Sequence, residues 1–319
     1  MFTLGIDVSK NTLDAALFDG RKFKTRKFHN THAGIALMRD WLVCAGAQGC
    51  AVGMEATGSY SEAVACALHD ADHRVSVINP AQVAAFVQAE LGRGKTDALD
   101  AKRIARFTAL HQPPRWQPPP QNVRILQALV RRLDSLKDLH QQERNRLDTA
   151  HPSVQPSIQT VIDTLVAQMR ALERTIHDHI DQDPDLRRNC DLLESIPGIS
   201  ERTSAVLLSH LHVIERCRTS KQWVAYVGLD CAIGQSGTSL HRTGHISKRG
   251  SAALRAAMFM PAIVAARHNP LLSPFAQRLR AAGKPGLVMV CAVMRKLMSI
   301  VFGVIKHQTP FAPEGIARG

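Results

Sequence analysis

The chain has 319 residues, 45% of them hydrophobic and 21% charged, a composition typical of a globular protein. Its seven Cys residues are scattered singly, so a disulfide scaffold or a structural zinc site is not expected and a reducing compartment fits. The net charge of +13 is concentrated in residues 231–319, which hold twelve Lys or Arg and one acid, and this asymmetry favours nucleic acid over an anionic membrane as the partner.

One segment is apolar enough to raise the question of a membrane span. Residues 287–305 form the longest apolar run, but Arg295-Lys296 interrupts it, so the run predicts a buried amphipathic helix and no membrane partner. The N-terminus begins with the strand-like run Phe2-Thr3-Leu4-Gly5-Ile6, which leaves no room for a signal peptide. Two or three domains and a cytoplasmic location are therefore expected.

Short strands and helices alternate in the N-terminal third of the chain. Runs rich in Phe, Leu, Val and Thr, separated by Ser-Lys-Asn and Asp-Gly turns, predict three consecutive strands, and Asn30-Thr31-His32 predicts a helix N-terminus. The predicted elements are strands 2–8, 12–18 and 21–28, helix 33–44, strand 50–55, a helix to about 70, strand 75–78, a helix to about 90 and helix 97–110, which Thr96 could cap. The order β-β-β-α-β-α-β-α is that of the ribonuclease H-like fold, in which the middle of the first strand carries a metal-binding carboxylate. Asp7 has that position.

A Pro-rich segment at residues 112–120 predicts a stiff linker. Beyond it, apolar residues at 126, 129, 133 and 136 and at 158, 162, 165, 169, 172 and 176 follow three-four spacing, which predicts a long helical hairpin or coiled-coil arm. The arm suits self-association, although two helices packed within one monomer explain the same pattern. The predicted architecture is thus α/β plus all-α, with an α/β domain at 1–112, the arm at 121–182 and a basic, mostly helical domain at 186–319.

The basic domain opens with a helix-hairpin-helix-like pattern. Helical runs flank the tight turn Ile196-Pro197-Gly198-Ile199. In a DNA-binding hairpin the amides of such a turn face a phosphate, by the same physics that places anions at helix N-termini. A Pro-Gly turn between two helices is also common without any ligand, so both interpretations stay open from the residues.

Four carboxylates stand where strands should end or helices begin. Asp7 lies in the first strand, Glu55 ends a later strand, and Asp97 and Asp100 share one helix face at i, i+3 spacing. Four converging acids would repel one another unless cations neutralised them, and two Mg²⁺ (or Mn²⁺) ions about 4 Å apart could activate a nucleophile on a phosphodiester. For Asp97 and Asp100 alone the alternative is favourable contact with a helix dipole. The matching positions of Asp7 and Glu55 favour the metal site.

A second chemical motif heads the basic domain's most positive segment. Ser236 lies in the Gly-rich run 235–239, and no His/Asp triad is evident around it. The candidate nucleic-acid-binding residues are Lys95 in the earlier loop and Arg242, Lys248, Arg249 and Arg255 after the serine. Basic groups beside a serine can bind a phosphate and stabilise charge on its oxygens during attack by the hydroxyl. The alternative is a basic loop that only contacts backbone phosphates.

Seven strings of the chain resemble one protein family in their order and spacing. They are Gly-Ile-Asp-Val-Ser-Lys, Met-Glu-Ala-Thr-Gly-Ser-Tyr, Val-Ile-Asn-Pro, Lys-Thr-Asp-Ala-Leu-Asp-Ala, Ser-Ile-Pro-Gly-Ile, Gly-Leu-Asp…Gln-Ser-Gly and Ile-Ser-Lys-Arg-Gly…Leu-Arg. The family is the DEDD-type transposases of the one-ten group of bacterial insertion sequences, which include the bridge-RNA-guided recombinases. The resemblance runs essentially end to end.

The resemblance implies a RuvC-like N-terminal domain of the ribonuclease H fold, whose acidic tetrad maps to Asp7, Glu55, Asp97 and Asp100. It implies a C-terminal transposase domain whose nucleophilic serine maps to Ser236 and forms a phosphoserine link to DNA. It further implies a structured noncoding bridge RNA that pairs with donor and target DNA. The resemblance also implies a dimer or tetramer with composite active sites. Such a protein is expected in the bacterial cytoplasm, and at the nucleoid when bound to DNA.

Two positions depart from the family pattern. Cys231 stands where the family commonly has Pro, and residues 232–234 lack the Arg often seen before Gln-Ser-Gly. Neither departure alters the tetrad or the serine.

Two other function classes remain as alternatives. A metal-dependent, structure-selective nuclease of RuvC type would use metal-bound water and no covalent intermediate. A nucleic-acid-binding protein with a degenerate acidic site would give no metal-dependent product. An actin-like kinase fits poorly, because no second Gly-rich phosphate loop follows at the expected place.

Overall fold

The structure is a computed structural model that describes residues 2–56, 58–89, 97–232, 235–236, 240–241 and 245–313. The chain divides into two compact units, Met1–Pro118 and Pro119–Gly319. The first unit is α/β and the second is mainly helical.

The first unit is built on a five-stranded mixed sheet. Its elements are β1 (Thr3–Val8), β2 (Thr12–Phe18), β3 (Phe23–His29), α1 (His32–Cys44), β4 (Ala51–Glu55), α2 (Ser59–His69), β5 (Arg74–Ile78), α3 (Pro80–Ala89) and α4 (Asp97–His111). The strand order is β3-β2-β1-β4-β5, with β1, β2 and β3 antiparallel and β1, β4 and β5 parallel. Thr31 caps α1 by accepting a hydrogen bond from the Gly34 amide, so the predicted helix start is confirmed.

The two faces of the sheet are covered differently. On one face, alternate residues of β1 and β2 such as Leu4, Ile6 and Leu17 are fully or almost fully buried in a core shared with α1 and α2. On the other face the strands carry small residues, Gly5 and Gly53 among them, and α4 packs against β1, β2 and β4. The sheet is therefore a middle layer between helices, and α4 lies closest to its backbone.

The end of the Pro-rich segment closes the first unit. Trp116 donates its amide hydrogen to the Val75 carbonyl at 2.7 Å, and the Ser76 hydroxyl donates to the Pro113 carbonyl at 3.0 Å. These bonds tie residues 113–116 to β5, so the first unit extends beyond the predicted boundary at residue 112.

The second unit begins with two long helices. Its elements are α5 (Gln121–Thr149), α6 (Gln155–Asp181), α7 (Pro184–Glu194), α8 (Glu201–Leu208), α9 (Leu211–Arg216), α10 (Ser220–Val227), β6 (Cys231–Ala232), β7 (Gln235–Ser236), β8 (Leu240–His241), β9 (His245–Ile246), α11 (Ala252–His268), α12 (Leu272–Ala281) and α13 (Gly286–His307). The helices α5 and α6 pack against each other, as two helices within one monomer would. The start of α5, with Leu126, and the end of α6, with Ile180, share one hydrophobic core with α7 to α13.

The apolar helix α13 is a core element of the second unit. By length and composition it could cross a membrane, but its apolar side, including Val293, Leu297 and Val301, is buried in the common core. Arg295 and Lys296 are exposed. The prediction of a buried amphipathic helix is confirmed.

The predicted tight turn between helices is present between α7 and α8. The Ile199 amide donates to the Ile196 carbonyl at 3.0 Å, and Gly198 has a φ of 108°. A Cβ at Gly198 would touch Ala265 and Pro261 of α11. One side of the turn is therefore closed by α11, and glycine is required there both by the backbone conformation and by the close approach.

Two histidines make the stability of the second unit depend on pH. Burial lowers the pKa of His210 and of His212 to about 4, and neighbouring positive groups add to the effect. An unfolded chain binds protons with the ordinary histidine pKa of about 6.5. Below that pH the unfolded state therefore holds more protons than the folded state, and the stability of the fold decreases as the pH is lowered. Between about pH 7.5 and 5 the free energy of unfolding is expected to fall by about 2 kcal/mol for each imidazole.

The measurement is urea unfolding followed by Trp223 fluorescence at the two pH values. Trp223 is fully buried and stacks on Tyr226, whose hydroxyl lies 3.0 Å from His210 Nδ1. Replacing Trp41 and Trp116 by Phe makes the signal specific to this unit. His212→Phe should reduce the pH dependence, while His268→Gln, at an exposed position, should leave it unchanged. Equal pH dependence in both variants would contradict the assignment.

Candidate active site

Asp7 and Glu55 lie next to each other at one end of the central strands. The parallel pairing of β1 and β4 places Ile6 beside Met54, so the following residues, Asp7 and Glu55, are neighbours in register. Both are partly buried. Residues that alternate along a strand share a face, which puts Asp7 on the face of Gly5, and Glu55 on that of Gly53. The two carboxylates therefore belong to the face that α4 covers.

Glycine lets α4 approach this face closely. Gly5 and Gly53 are register partners, and a Cβ at Gly5 would overlap the backbone of Ala101 and Ala105 in α4. A Cβ at Gly53 would overlap the Thr108 side chain. Because any larger residue would push the helix away, these two positions fix the distance between α4 and the strands that carry Asp7 and Glu55.

The first turn of α4 carries the other two predicted acids. Asp97 is exposed and has its Oδ2 3.9 Å from the Lys27 ammonium nitrogen. Asp100 is held by Arg103, whose Nη1 donates to Asp100 Oδ1 at 2.9 Å. Both acids also lie where a helix N-terminus favours negative charge, so the capping interpretation and a ligand role remain compatible.

The predicted serine lies in a segment of four short strands, β6 to β9, between α10 and α11 of the second unit. Strand β7, with Gln235 and Ser236, pairs with β8, while β6 pairs with β9. The segment between α10 and α11 is therefore paired by two short antiparallel ladders. Arg242 and the N-terminal Lys95 lie outside the described residues.

The base of this segment is tied together by several hydrogen bonds. Arg255 Nη1 donates to the carbonyls of Val227 and Gly250, each at 2.9 Å. The Ser251 amide donates to the Tyr226 carbonyl at 2.9 Å. Arg255 therefore connects the end of α10 to the start of α11, which gives it a structural role beside its predicted contact with nucleic acid.

A second group of bonds continues the same junction. The Ser247 amide donates to the Asp230 carbonyl at 2.8 Å, and the Ser247 hydroxyl bonds the Asp230 carboxylate. Lys248 and Arg249 are exposed directly after this junction, before α11 begins. Both residues follow β9, the strand that pairs with β6.

Comparison with known proteins identifies the family. Residues 4–155 match the family model of the DEDD-type IS110 domain, described as "Transposase", and residues 190–277 match one described as "Transposase IS116/IS110/IS902 family". Over 311 residues the chain is 31% identical to the "Pilin gene-inverting protein" of Moraxella bovis, an alignment covering 97% of each chain. The chain belongs to the IS110 family of transposases. It is therefore a DNA transposase/recombinase, as its motifs predict.

Other relatives agree with this membership in the IS110 family. The "Pilin gene-inverting protein" of Moraxella lacunata is also 31% identical over 97% of each chain. The "Insertion element IS110 uncharacterized 43.6 kDa protein" of Streptomyces coelicolor is 30% identical over 142 residues, which are 44% of this chain and 34% of that protein.

A DEDD-type IS110 domain implies use of a divalent metal, and the four predicted acids are of the donor type that such an ion takes. Carboxylate oxygens are the ligands that hard cations such as Mg²⁺ prefer, and α4, whose first turn carries Asp97 and Asp100, packs closely over Gly5 and Gly53. Within the described residues, no three Asp, Glu, His or Cys side chains are grouped closely enough to hold an ion.

Sequence reasoning missed two charged residues at the same edge. Asp14 is the register partner of Asp7, and Lys27 is the register partner of Asp14. The signal was present in the chain, because the short turn at residues 9–12 fixes the pairing of β1 with β2. Each strand's alternation then places Asp14 and Lys27 on the same face as Asp7.

Proposed function

We propose that this IS110 transposase cuts and rejoins DNA through a covalent serine intermediate, guided by a structured noncoding bridge RNA. The observation that carries the proposal is the end-to-end match: 97% of the chain aligns with a relative whose name describes inversion of a gene. The Gly-Ile-Asp, Met-Glu-Ala-Thr-Gly, Lys-Thr-Asp-Ala-Leu-Asp and Gln-Ser-Gly strings stand in the order and spacing of the DEDD family.

The topology of the first unit supports a RuvC-like, ribonuclease H-type domain. An antiparallel hairpin sheet continues into parallel strands β1, β4 and β5, and the helices lie on both faces. The register of β1 and β4, which puts Asp7 beside Glu55, supports their assignment to the tetrad. We assign Asp97 and Asp100, in the first turn of α4, as the other two members, and the close packing of α4 over Gly5 and Gly53 supports this assignment.

In the proposed reaction the Ser236 hydroxyl oxygen attacks the phosphorus of a DNA phosphodiester. The bond from phosphorus to one deoxyribose oxygen breaks, the hydroxyl proton passes to water, and the deoxyribose oxygen takes up a proton as it leaves. Rejoining is the reverse attack by a deoxyribose hydroxyl on the phosphoserine, which frees the serine. Lys248 and Arg249 would bind the phosphate oxygens, whose charge grows during attack.

Asp7, Glu55, Asp97 and Asp100 are the residues that would hold the divalent metal. Mg²⁺ or Mn²⁺ bound there would act as a Lewis acid on the phosphate and stabilise the leaving oxygen. The four acids orient the site, and Lys27 and Arg103 neutralise part of its charge.

Self-association would allow the two units of different subunits to form composite sites in a dimer or tetramer. The arm helices α5 and α6 support this, because Leu139 is 43% exposed and Val161 45% exposed on them. Apolar side chains at such positions are suited to a second helical hairpin.

Guidance by RNA is consistent with the residues available for reading DNA. The chain contains three Trp and two Tyr, so stacking on aromatic rings offers little capacity for reading bases. The last 89 residues instead provide positive charge for phosphates. Donor and target DNA would then be chosen by base pairing with the RNA, in the bacterial cytoplasm at the nucleoid.

Covalent trapping tests this function. The purified protein is mixed with the noncoding RNA from its element's flanks, Mg²⁺ and end-labelled donor and target DNA, and is then run on a denaturing gel. Wild type is expected to give a DNA adduct that resists denaturant, and Ser236→Ala is expected to give none, because the bond forms at the serine oxygen.

The matched control is Ser239→Ala, three residues away in the same serine-rich run. It should keep the adduct. DNA cleaved without an adduct in any variant would overturn the serine mechanism and leave the metal-dependent nuclease. An adduct that forms equally well without the RNA would remove the guidance part of the proposal alone.

A further inference from the structure

Three charged residues form a row across the first three strands. Asp7 on β1 lies opposite Asp14 on β2, and Asp14 lies opposite Lys27 on β3. Residues directly opposite each other in antiparallel strands point to the same face, with Cβ atoms about 4.5–5.5 Å apart. The row therefore places Lys27 on the same face of the sheet as Asp7 and Asp14.

Lys27 joins this row to α4. Its Nζ lies 3.2 Å from Asp14 Oδ2 and 3.9 Å from Asp97 Oδ2. The Asp14 side chain is only 13% exposed, whereas those of Lys27 and Asp97 are 55% and 68% exposed. One lysine thus bridges a largely buried acid of the sheet and an exposed acid of the helix.

The positive charge of Lys27 offsets the repulsion between neighbouring carboxylates. Like charges directly opposite in a sheet destabilise the pair, and Asp7 faces Asp14 in this way. A lysine ammonium is a compact point charge on a flexible stem, so it can neutralise Asp14 and reach Asp97. The contact to Asp97 is solvent-exposed, and exposed ion pairs are weak and easily exchanged.

We propose that Lys27 is a positioning residue that acts as the counter-cation of the acidic site before metal binds and competes with the metal for Asp97. The inference rests on the proposed metal site. It makes Asp14 the anchor of the lysine: when a divalent cation takes the Asp97 carboxylate, the ammonium retains its bond to Asp14. Lys27 thereby sets the metal concentration at which the site is loaded.

The test is calorimetric titration of the full-length protein with Mg²⁺, without nucleic acid. Lys27→Met is expected to bind Mg²⁺ about fivefold tighter than wild type, because it removes a competing unit charge about 4 Å from a ligand in a solvated site. Lys24→Met is the matched control. It removes the same charge from β3, but alternation places Lys24 on the opposite face.

Lys27→Arg keeps the charge and should bind Mg²⁺ within about twofold of wild type, which separates charge from simple damage to the fold. Equal Mg²⁺ affinity in wild type and Lys27→Met would overturn the inference and leave the metal site intact. An equal gain in Lys24→Met would also overturn it, since the effect would then be one of net charge. A wild-type protein that binds no Mg²⁺ would instead remove the metal site itself, and the inference with it.

Discussion

Mixing an Asp7→Asn variant with a Ser236→Ala variant is expected to restore recombination that neither variant performs alone. Each variant lacks one half of a proposed composite site, and loss of a catalytic group of this kind costs roughly 10³-fold or more in rate. In an equal mixture of randomly assembled dimers, about a quarter of the composite sites combine an intact serine with an intact acidic set. Recovery should be measured as strand-exchange product against the ratio of the two proteins.

A third variant provides the control for this mixing experiment. Glu55→Gln removes an acid from the same site as Asp7, since the two are register neighbours on β4 and β1. A mixture of Asp7→Asn with Glu55→Gln should therefore stay inactive at every ratio. Absence of recovery in the serine mixture would contradict composite sites and place the reaction within one chain. Recovery in the mixture of Asp7→Asn with Glu55→Gln would show that acids from two different subunits can act in one site, which contradicts the proposed division of the composite site.

The sheet of the first unit could be predicted closely because its signals are local. The strand predicted at 12–18 is β2, Thr12–Phe18, since alternation and flanking turns define both ends. The third strand begins at Phe23, two residues later than predicted. Asp19 Oδ1 accepts hydrogen bonds from the amides of Arg21 and Lys22 at 2.7 Å each, so this turn uses residues that composition alone assigned to the strand.

The acidic positions were predictable, but their neighbours were not identified. The Gly-x-acid spacing occurs twice, at Gly5-Ile6-Asp7 and Gly53-Met54-Glu55, and it places both acids on the face that the glycines open to α4. Reading this repeat requires knowing that β1 and β4 pair in parallel, which is a non-local contact. The ion pair between Lys27 and Asp97 likewise joins residues distant in sequence.

The second unit shows the limit of periodicity as a signal. The three-four spacing identified α5 and α6, but it did not indicate that Leu126 and Ile180 belong to the same core as α13. Strands β6 to β9 contain two residues each, too few for any period to be visible. The position of Ser236 in β7 therefore came from its motif and from the family resemblance.

Replacing Gly5 by Ala is expected to disrupt the first unit and the proposed metal site together. The new Cβ would overlap the backbone of Ala101 and Ala105, which cannot move aside as a flexible side chain can. Overpacking of this kind is expected to lower the free energy of unfolding by about 3 kcal/mol. Urea unfolding, followed by Trp41 and Trp116 fluorescence in a Trp223→Phe background, measures the loss in this unit.

The same change should lower activity more than its effect on stability explains. A shift of α4 by about 1 Å would move Asp97 and Asp100 away from Asp7, and such displacements can cost about 10²-fold in rate. Gly303→Ala is the matched control, because a Cβ in this helical position would meet no described atom within 4 Å. It should stabilise α13 by about 0.5–1 kcal/mol and leave recombination unchanged. Full activity and stability in Gly5→Ala would show that α4 need not lie against the strand that carries Asp7.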